Sequence, residues 1–200
     1  VGSADLRKGI DLFVEVGLLL TERRTDIACI WVGPPNPEEA APAQARIAEA
    51  GRQSAIQLYG PSRDSDLFFA GSDVYLMTSR EDPFPAVVLE ALDAELPVIA
   101  FDQGGGYVEL LRRGCGILVP HLDAGAMADA TTRILDDRDS RRLIAEIGRQ
   151  IIDQEFDFTD YARFLIQTAT KRKRVSVIVP NFNYAHYLPE RLRSILTQTY

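Results

Sequence analysis

Short, uninterrupted apolar runs alternate with longer segments of helical period through residues 8–170 of this chain. The runs are 26–33 (DIACIWVG), 55–60 (AIQLYG), 73–79 (DVYLMTS), 97–101 (PVIAF) and 116–120 (GILVP). A strand wetted on one face alternates apolar and polar residues, whereas a continuous apolar run is covered on both faces. Helical segments are predicted at 8–23, 38–52, 64–72, 86–95, 107–113, 124–136, 139–153 and 158–170. The first carries Ile10, Phe13, Val14, Leu18 and Leu20 at helical spacing. The second contains Pro42, which is expected in its first turn, where a missing N–H costs nothing. The alternation predicts an α/β class: a Rossmann-like parallel sheet with helices on both faces. Such sheets take ligands at the carboxyl ends of their strands.

Charge excludes one broad class. The formal net charge is −7, which argues against a nucleic-acid binder. The basic run KRKR at 171–174 reads as a solvated linker. Cys29 lies in an apolar run and Cys115 far from it, so both are expected as free thiols in a reducing cytoplasm, with the inner face of a membrane as a possible station. The apolar stretch DLFVEVGLLL is interrupted by Glu15 and is too short to span a bilayer. His121 and His186 lack partners at metal spacing, and His121 reads as a surface residue after a strand. The DSD at 64–66 reads as a helix cap with acids in the first turn, not as a metal motif. No metal or cofactor is expected.

The chemistry concentrates in residues 81–101, EDPFPAVVLEALDAELPVIAF. Pro83 and Pro85 stiffen the approach to a helix that starts near Ala86. Free N–H groups around Phe84–Val88 would then point into the cleft above the strand at 73–79, and such a helix start is an anion site. The helix is apolar almost all round, which predicts burial with Glu90 inside it. A buried carboxylate needs a partner. Two partners are open: a vicinal diol such as a ribose, or an Arg or backbone N–H of the core. A second segment, VGSADLRKG at 1–9, offers small residues for close approach and Arg7 or Lys8 as a phosphate cation. The GGG at 104–106 reads as a close-packing turn beside the cleft, Glu109 as a surface carboxylate, and Ser79 has no base beside it.

Taken together, these segments resemble the C-terminal domain of retaining family 4 (group 1) glycosyltransferases of the GT-B fold. The resemblance rests on the acid–seven–Glu spacing of Asp82 and Glu90, the following Pro97-Val98 and glycines, and the order of WVG (31–33), LYG (58–60), SDVYLMTSR (72–80) and GILVPHLDAGAMADA (116–130). It implies a hexosyltransferase of bacterial polysaccharide biosynthesis that takes a UDP- or GDP-sugar. The resemblance makes Lys8, Asp82 and Glu90 the catalytic set: Glu90 on the ribose, Asp82 on the donor sugar, and Lys8 on the pyrophosphate. Gly2, Ser3 and Arg7 would lie near the phosphates, with the amides of Phe84, Pro85, Ala86 and Val87; Tyr59 and Gly60 would lie near the base. The glycan or lipid-linked acceptor would sit on an N-terminal domain absent from this chain. Three departures stand out: Asp82 replaces a usual Glu, Ser3 a usual Arg, and Glu95 a small residue at a helix end that favours Gly. A nucleotide-sugar epimerase on the same half-fold and a non-catalytic binding module are the alternatives.

The domain layout expected is a nucleotide-sugar-binding domain at 1–170, a linker at 171–174, and a truncated second domain at 175–200. The last segment, VSVIVPNFNYAHYLPERLRSILTQTY, resembles the opening strand, loop and helix of a family 2 (GT-A) glycosyltransferase. The chain does not begin with Met, which suggests an excised piece. The first strand of the half-fold is reduced to Val1–Gly2, leaving an unpaired slot. The strand at 175–180 is expected to fill it, within one chain or by exchange with another copy.

Overall fold

In the computed structural model, residues 1–171 and 193 are described. The chain divides into two compact units, Val1–Phe156 and Asp157–Tyr200. The expected limits at 171 and 175 fall inside the second unit. The tail at 175–200, its family 2 resemblance and its slot-filling strand lie outside the described residues, Arg193 excepted.

The first unit carries β1 (Cys29–Val32), β2 (Ile56–Gly60), β3 (Tyr75–Met77), β4 (Val98–Phe101) and β5 (Gly116–Val119). All pairs are parallel, but they form two pieces: β1–β2, and β3–β4–β5. Helices α1 (Ile10–Arg23), α2 (Pro37–Glu49), α3 (Ser65–Ala70), α4 (Ala86–Asp93), α5 (Tyr107–Leu110), α6 (Ala124–Asp136) and α7 (Arg138–Glu155) alternate with them. Strand β4 shows why the runs are continuous. Its Ile99 and Phe101 join a core with α1, α2 and α6, whereas Val98 and Ala100 join a second core with α4 and α5. The α/β expectation is therefore met, with helices on both faces.

Several boundaries differ from expectation for local reasons. Helix α1 begins at Ile10, because Gly9 holds a left-handed conformation, φ 77°. Helix α2 begins at Pro37, capped by Asn36, whose side chain accepts from the Glu38 N–H at 3.2 Å. Pro42 therefore lies inside the helix, past the first turn. Helix α5 runs on into a wide π-turn, Leu111–Cys115, which Gly114 ends at φ 94°. Asp64 occupies the N-cap position of α3 but makes no side-chain cap bond, and only Asp66 of that motif stands in the first turn. Cys29 is buried, and burial pushes its thiol up to about 11. No helix among the described residues is long and apolar enough to cross a membrane. In the second unit, α8 (Phe158–Lys171) is amphipathic, and Phe158, Tyr161, Phe164 and Ile166 are exposed.

Helices α2 and α4 end in the same motif with different residues. After α2, the N–H of Gly51 bonds Ala48 O and that of Arg52 bonds Ile47 O. After α4, the N–H of Glu95 bonds Leu92 O and that of Leu96 bonds Ala91 O. The turning residue must be left-handed in both. Gly51 does this at φ 65° without penalty, whereas Glu95 does it at φ 58° with a Cβ. Glu95→Gly is therefore expected to stabilise the chain by about 1 kcal/mol, less the entropy of a freer unfolded chain. Thermal unfolding should show a rise of roughly 2–4 °C per kcal/mol gained.

Candidate functional site

The carboxyl ends of the strands are drawn together by close backbone approaches. The Gly2 N–H donates to Val32 O at 2.8 Å, and the Gly33 N–H to Gly60 O at 2.7 Å. A Cβ on Gly33 would stand 1.8 Å from Gly2 O. On the other sheet piece, the Asp82 N–H donates to Gly104 O and the Gly106 N–H to Pro83 O, each at 2.7 Å. A Cβ on Gly105 would stand 1.7 Å from Asp82 O, and one on Gly9 2.0 Å from Thr78 O. The GGG turn is thus packed against the loop that leads into α4.

A strap joins the loop before α1 to the loop after β3. Lys8 Nζ pairs with an Asp82 carboxylate oxygen, with side chains 18% and 10% exposed. The Thr78 hydroxyl donates to Lys8 O at 3.1 Å, and the Arg80 N–H to Arg7 O at 2.9 Å. The Arg80 guanidinium donates to Leu6 O at 2.6 Å and grips both Asp11 oxygens at 2.7 and 2.6 Å. Burial raises the Asp11 carboxyl, but the Arg80 hydrogen bonds and charge outweigh this and hold it below its ordinary range. The Lys8 N–H is itself tied to Asp5 Oδ1 at 2.8 Å. In the sequence Arg80 follows an apolar run and has no local partner that would give it a role. Its partner lies 69 residues away, and only the fold brings them together.

Helix α4 opens beside this strap. Its N-cap position is Pro85, no side chain caps it, and its first turn holds no acid. Among the described residues, every other α-helix has a side-chain cap or an acid in its first turn. The Val88 N–H bonds Pro85 O at 3.1 Å. Pro85 has no N–H. The free amides are therefore those of Phe84, Ala86 and Val87, a narrower set than Phe84–Val88. An unneutralised helix start of this kind favours an anion.

Glu90 corrects an expectation: it is exposed. Helix α4 buries one face, Val88, Ala91 and Leu92, and helical geometry puts residue 90 opposite. No core partner is needed. Its charge nevertheless reaches the cleft. The Tyr75 hydroxyl, on a side chain that lines the cavity, is pushed up first by burial and then by the Glu90 and Asp82 charges. Tyr75, Asp82 and Glu90 therefore share one neighbourhood, and Val1, Lys8, Tyr75 and Val87 line the same cavity. Gly2 lies beside the Lys8 stem, since a Cβ there would be 3.8 Å from Cε. Ser3 is half-buried, and Arg7 is exposed with a long contact to Glu81 O at 3.4 Å. Tyr59 is 59% exposed, edge-on to Phe68 at 4.8 Å, while Gly60 adjoins Gly33. Phe84 stacks on Phe156, their centroids 6.5 Å apart. Glu109 is exposed, as expected.

Two buried polar atoms stand at neighbouring strand ends without hydrogen-bond partners: Asp102 Oδ1 and His121 Nδ1. The His121 ring lies edge-on to Phe101 at 6.0 Å, so it is half-buried rather than a surface residue. Among the described residues, no group of three or more His, Cys, Asp or Glu could hold a metal ion.

Parallel strands with helices on both faces and converging carboxyl ends make this a Rossmann-like α/β fold. Residues 1–151 match the family Glycosyl transferases group 1, and the chain belongs to that family. It is 30% identical over 138 residues to the lipopolysaccharide core biosynthesis mannosyltransferase LpsB of Rhizobium meliloti, covering 66% of this chain and 39% of LpsB. Anabaena HepE, solved with UDP and glucose, superposes with a TM-score of 0.78 at 22% identity, over 86% of this chain and 48% of HepE. The C-terminal domain of the group 1 glycosyltransferase LpcC from Francisella tularensis gives 0.71 at 20% identity, over 79% of this chain and 84% of that domain. The chain spans between 10% and 39% of the length of the curated relatives it matches.

The glycine packing makes a direct test. Gly105→Ala drives a methyl into the Asp82 carbonyl and is expected to cost about 2 kcal/mol or more. Gly60 has open space around it, so Gly60→Ala carries only a backbone penalty of about 1 kcal/mol. Urea unfolding of the two variants should rank them in that order.

Proposed function

We propose that this chain is the donor-binding half of a retaining hexosyltransferase that uses a nucleotide diphosphate sugar. The observation that carries the reading is the uncapped, acid-free start of α4 beside the ammonium of Lys8. Cleavage of the bond between the anomeric carbon and the β-phosphate oxygen leaves its electron pair on the pyrophosphate. The Lys8 ammonium and the amides of Phe84, Ala86 and Val87 would stabilise that charge, with no metal required. The UDP bound in HepE and the mannosyltransferase name of LpsB support a nucleotide-sugar donor.

The remaining roles follow from placement. The exposed Glu90 carboxylate is available to accept from ribose hydroxyls, with Tyr59 and Gly60 near the base. Asp82 acts first through Lys8, as a positioning residue, since its carboxylate is engaged by that ammonium. The acceptor, a glycan or lipid-linked sugar, would meet the donor on a domain outside this chain. The buried free thiols Cys29 and Cys115 suit a reducing, cytoplasmic setting.

Calorimetric titration with UDP, GDP and ADP tests the reading. Saturable binding of UDP or GDP is expected. Lys8→Ala and Glu90→Ala should each weaken it roughly 10- to 100-fold, the worth of charge-assisted hydrogen bonds. Because Glu90 is exposed, Glu90→Ala should leave the unfolding temperature unchanged. Binding that survives both substitutions, or no binding to any nucleotide, would count against the reading.

A further inference from the structure

Helix α4 has eight residues and no side-chain cap, and Pro83 and Pro85 stand at its approach. A helix so short does not hold itself in water, so its place is set by what it packs on. The site depends on that place, because the free amides of Phe84, Ala86 and Val87 move with it.

Helix α7 grips α4 at its far end. The Arg149 guanidinium donates to Asp93 O at 2.8 Å and to Asp93 Oδ1 at 2.6 Å. Gly148 allows the close approach, since a Cβ there would stand 2.8 Å from Leu92 Cδ2. Ile151, further along α7, is buried in the core that holds Val88, Ala91 and Leu92. The path from Gly148 to Phe156 covers about 12 Å of helix, which is the length of α4 itself. There Phe156, the residue after α7, stacks on Phe84, with ring centroids 6.5 Å apart and planes at 19°. The two helices therefore run antiparallel, and α7 meets α4 at both ends.

Phe156 is anchored. Its N–H closes the last turn of α7 on Ile152 O at 3.1 Å. The Glu155 carboxylate before it pairs with the Arg113 guanidinium, one bond at 2.9 Å, which ties the end of α7 to the π-turn after α5. Phe84, in turn, belongs to a stiff loop. It precedes Pro85, which confines its backbone to extended conformations. The Gly106 N–H bonds Pro83 O at 2.7 Å, and a Cβ on Gly106 would stand 3.2 Å from Phe84 Cδ2. A stiff loop held by its ring carries its amides with it. Both rings are partly in water, Phe84 46% and Phe156 37% exposed, so the stack adds little to the core. Its effect is local to the α4 start.

We propose that Phe156 is a positioning residue for the α4 start: its ring, through Phe84, fixes the amides of Phe84, Ala86 and Val87. The effect on binding rests on reading that start as the diphosphate site. The mechanical link between Phe156 and the loop does not.

Nitrogen-15 relaxation of the free chain, with titrations of UDP and of uridine, tests both parts. In Phe156→Ala the order parameters of Phe84, Ala86 and Val87 should drop below about 0.6, while Asp93 and Ala94 at the gripped end keep about 0.85. UDP binding should weaken roughly 3- to 10-fold, the worth of one aromatic pair, and uridine, which lacks phosphates, should bind as to the parent. Phe156→Tyr keeps a ring for the stack and should leave both readouts as in the parent. Ile151→Val thins the buried side of α7 without touching the stack, so it should lower the unfolding temperature and change neither readout. Unchanged order parameters at Phe84, Ala86 and Val87 in Phe156→Ala would overturn the proposal. Equal losses for UDP and uridine, or the same loosening in Ile151→Val, would also overturn it, since either would make Phe156 one more packing residue. If the parent binds no UDP, the diphosphate reading fails by itself, and the order parameters still decide whether Phe156 holds the α4 start.

Discussion

The strap between residues 6–11 and 78–82 is the constraint on which the arrangement of this site rests. No strand pairing joins β1–β2 to β3–β4–β5 among the described residues. Across that gap run the Lys8–Asp82 ion pair, the Arg80 grip on Asp11 and Leu6 O, and the Thr78 bond to Lys8 O. A single exposed ion pair contributes little. Here the pairs act with backbone bonds and with Gly9 against Thr78, so the geometry is set several times over. The result is an ammonium held at the mouth of an uncapped helix.

Apolar continuity made the architecture legible in the sequence, because β4 needs both faces covered and cannot alternate. Glycines were legible as close approach at 104–106 and Glu95 as an ill-suited helix end, since both follow from Cβ sterics. Glu90 was misread. An apolar composition around it suggested burial, but an eight-residue helix buries only the face of Val88, Ala91 and Leu92. The Arg80–Asp11 pair left no local trace, because its partners are distant in sequence and each alone looks like a surface charge. The start of α2 was displaced by Asn36-Pro37, a cap and first-turn pair that outweighs the Pro42 signal.

The loops at the strand ends are fixed by backbone contact as well as by charge. Gly33 lies against Gly2 O, Gly9 against Thr78 O and Gly105 against Asp82 O, so a side chain at any of the three would displace a loop that carries Lys8 or Asp82.

The most direct test of the central claim is nitrogen-edited NMR of the chain during titration with UDP. If the strapped ammonium and the α4 start form the diphosphate site, the largest amide shifts will fall at Gly2–Lys8 and at Phe84–Glu90, with smaller ones at Tyr59 and Gly60. Shifts confined to other surfaces, with the Ala86 and Val87 amides unmoved, would contradict it.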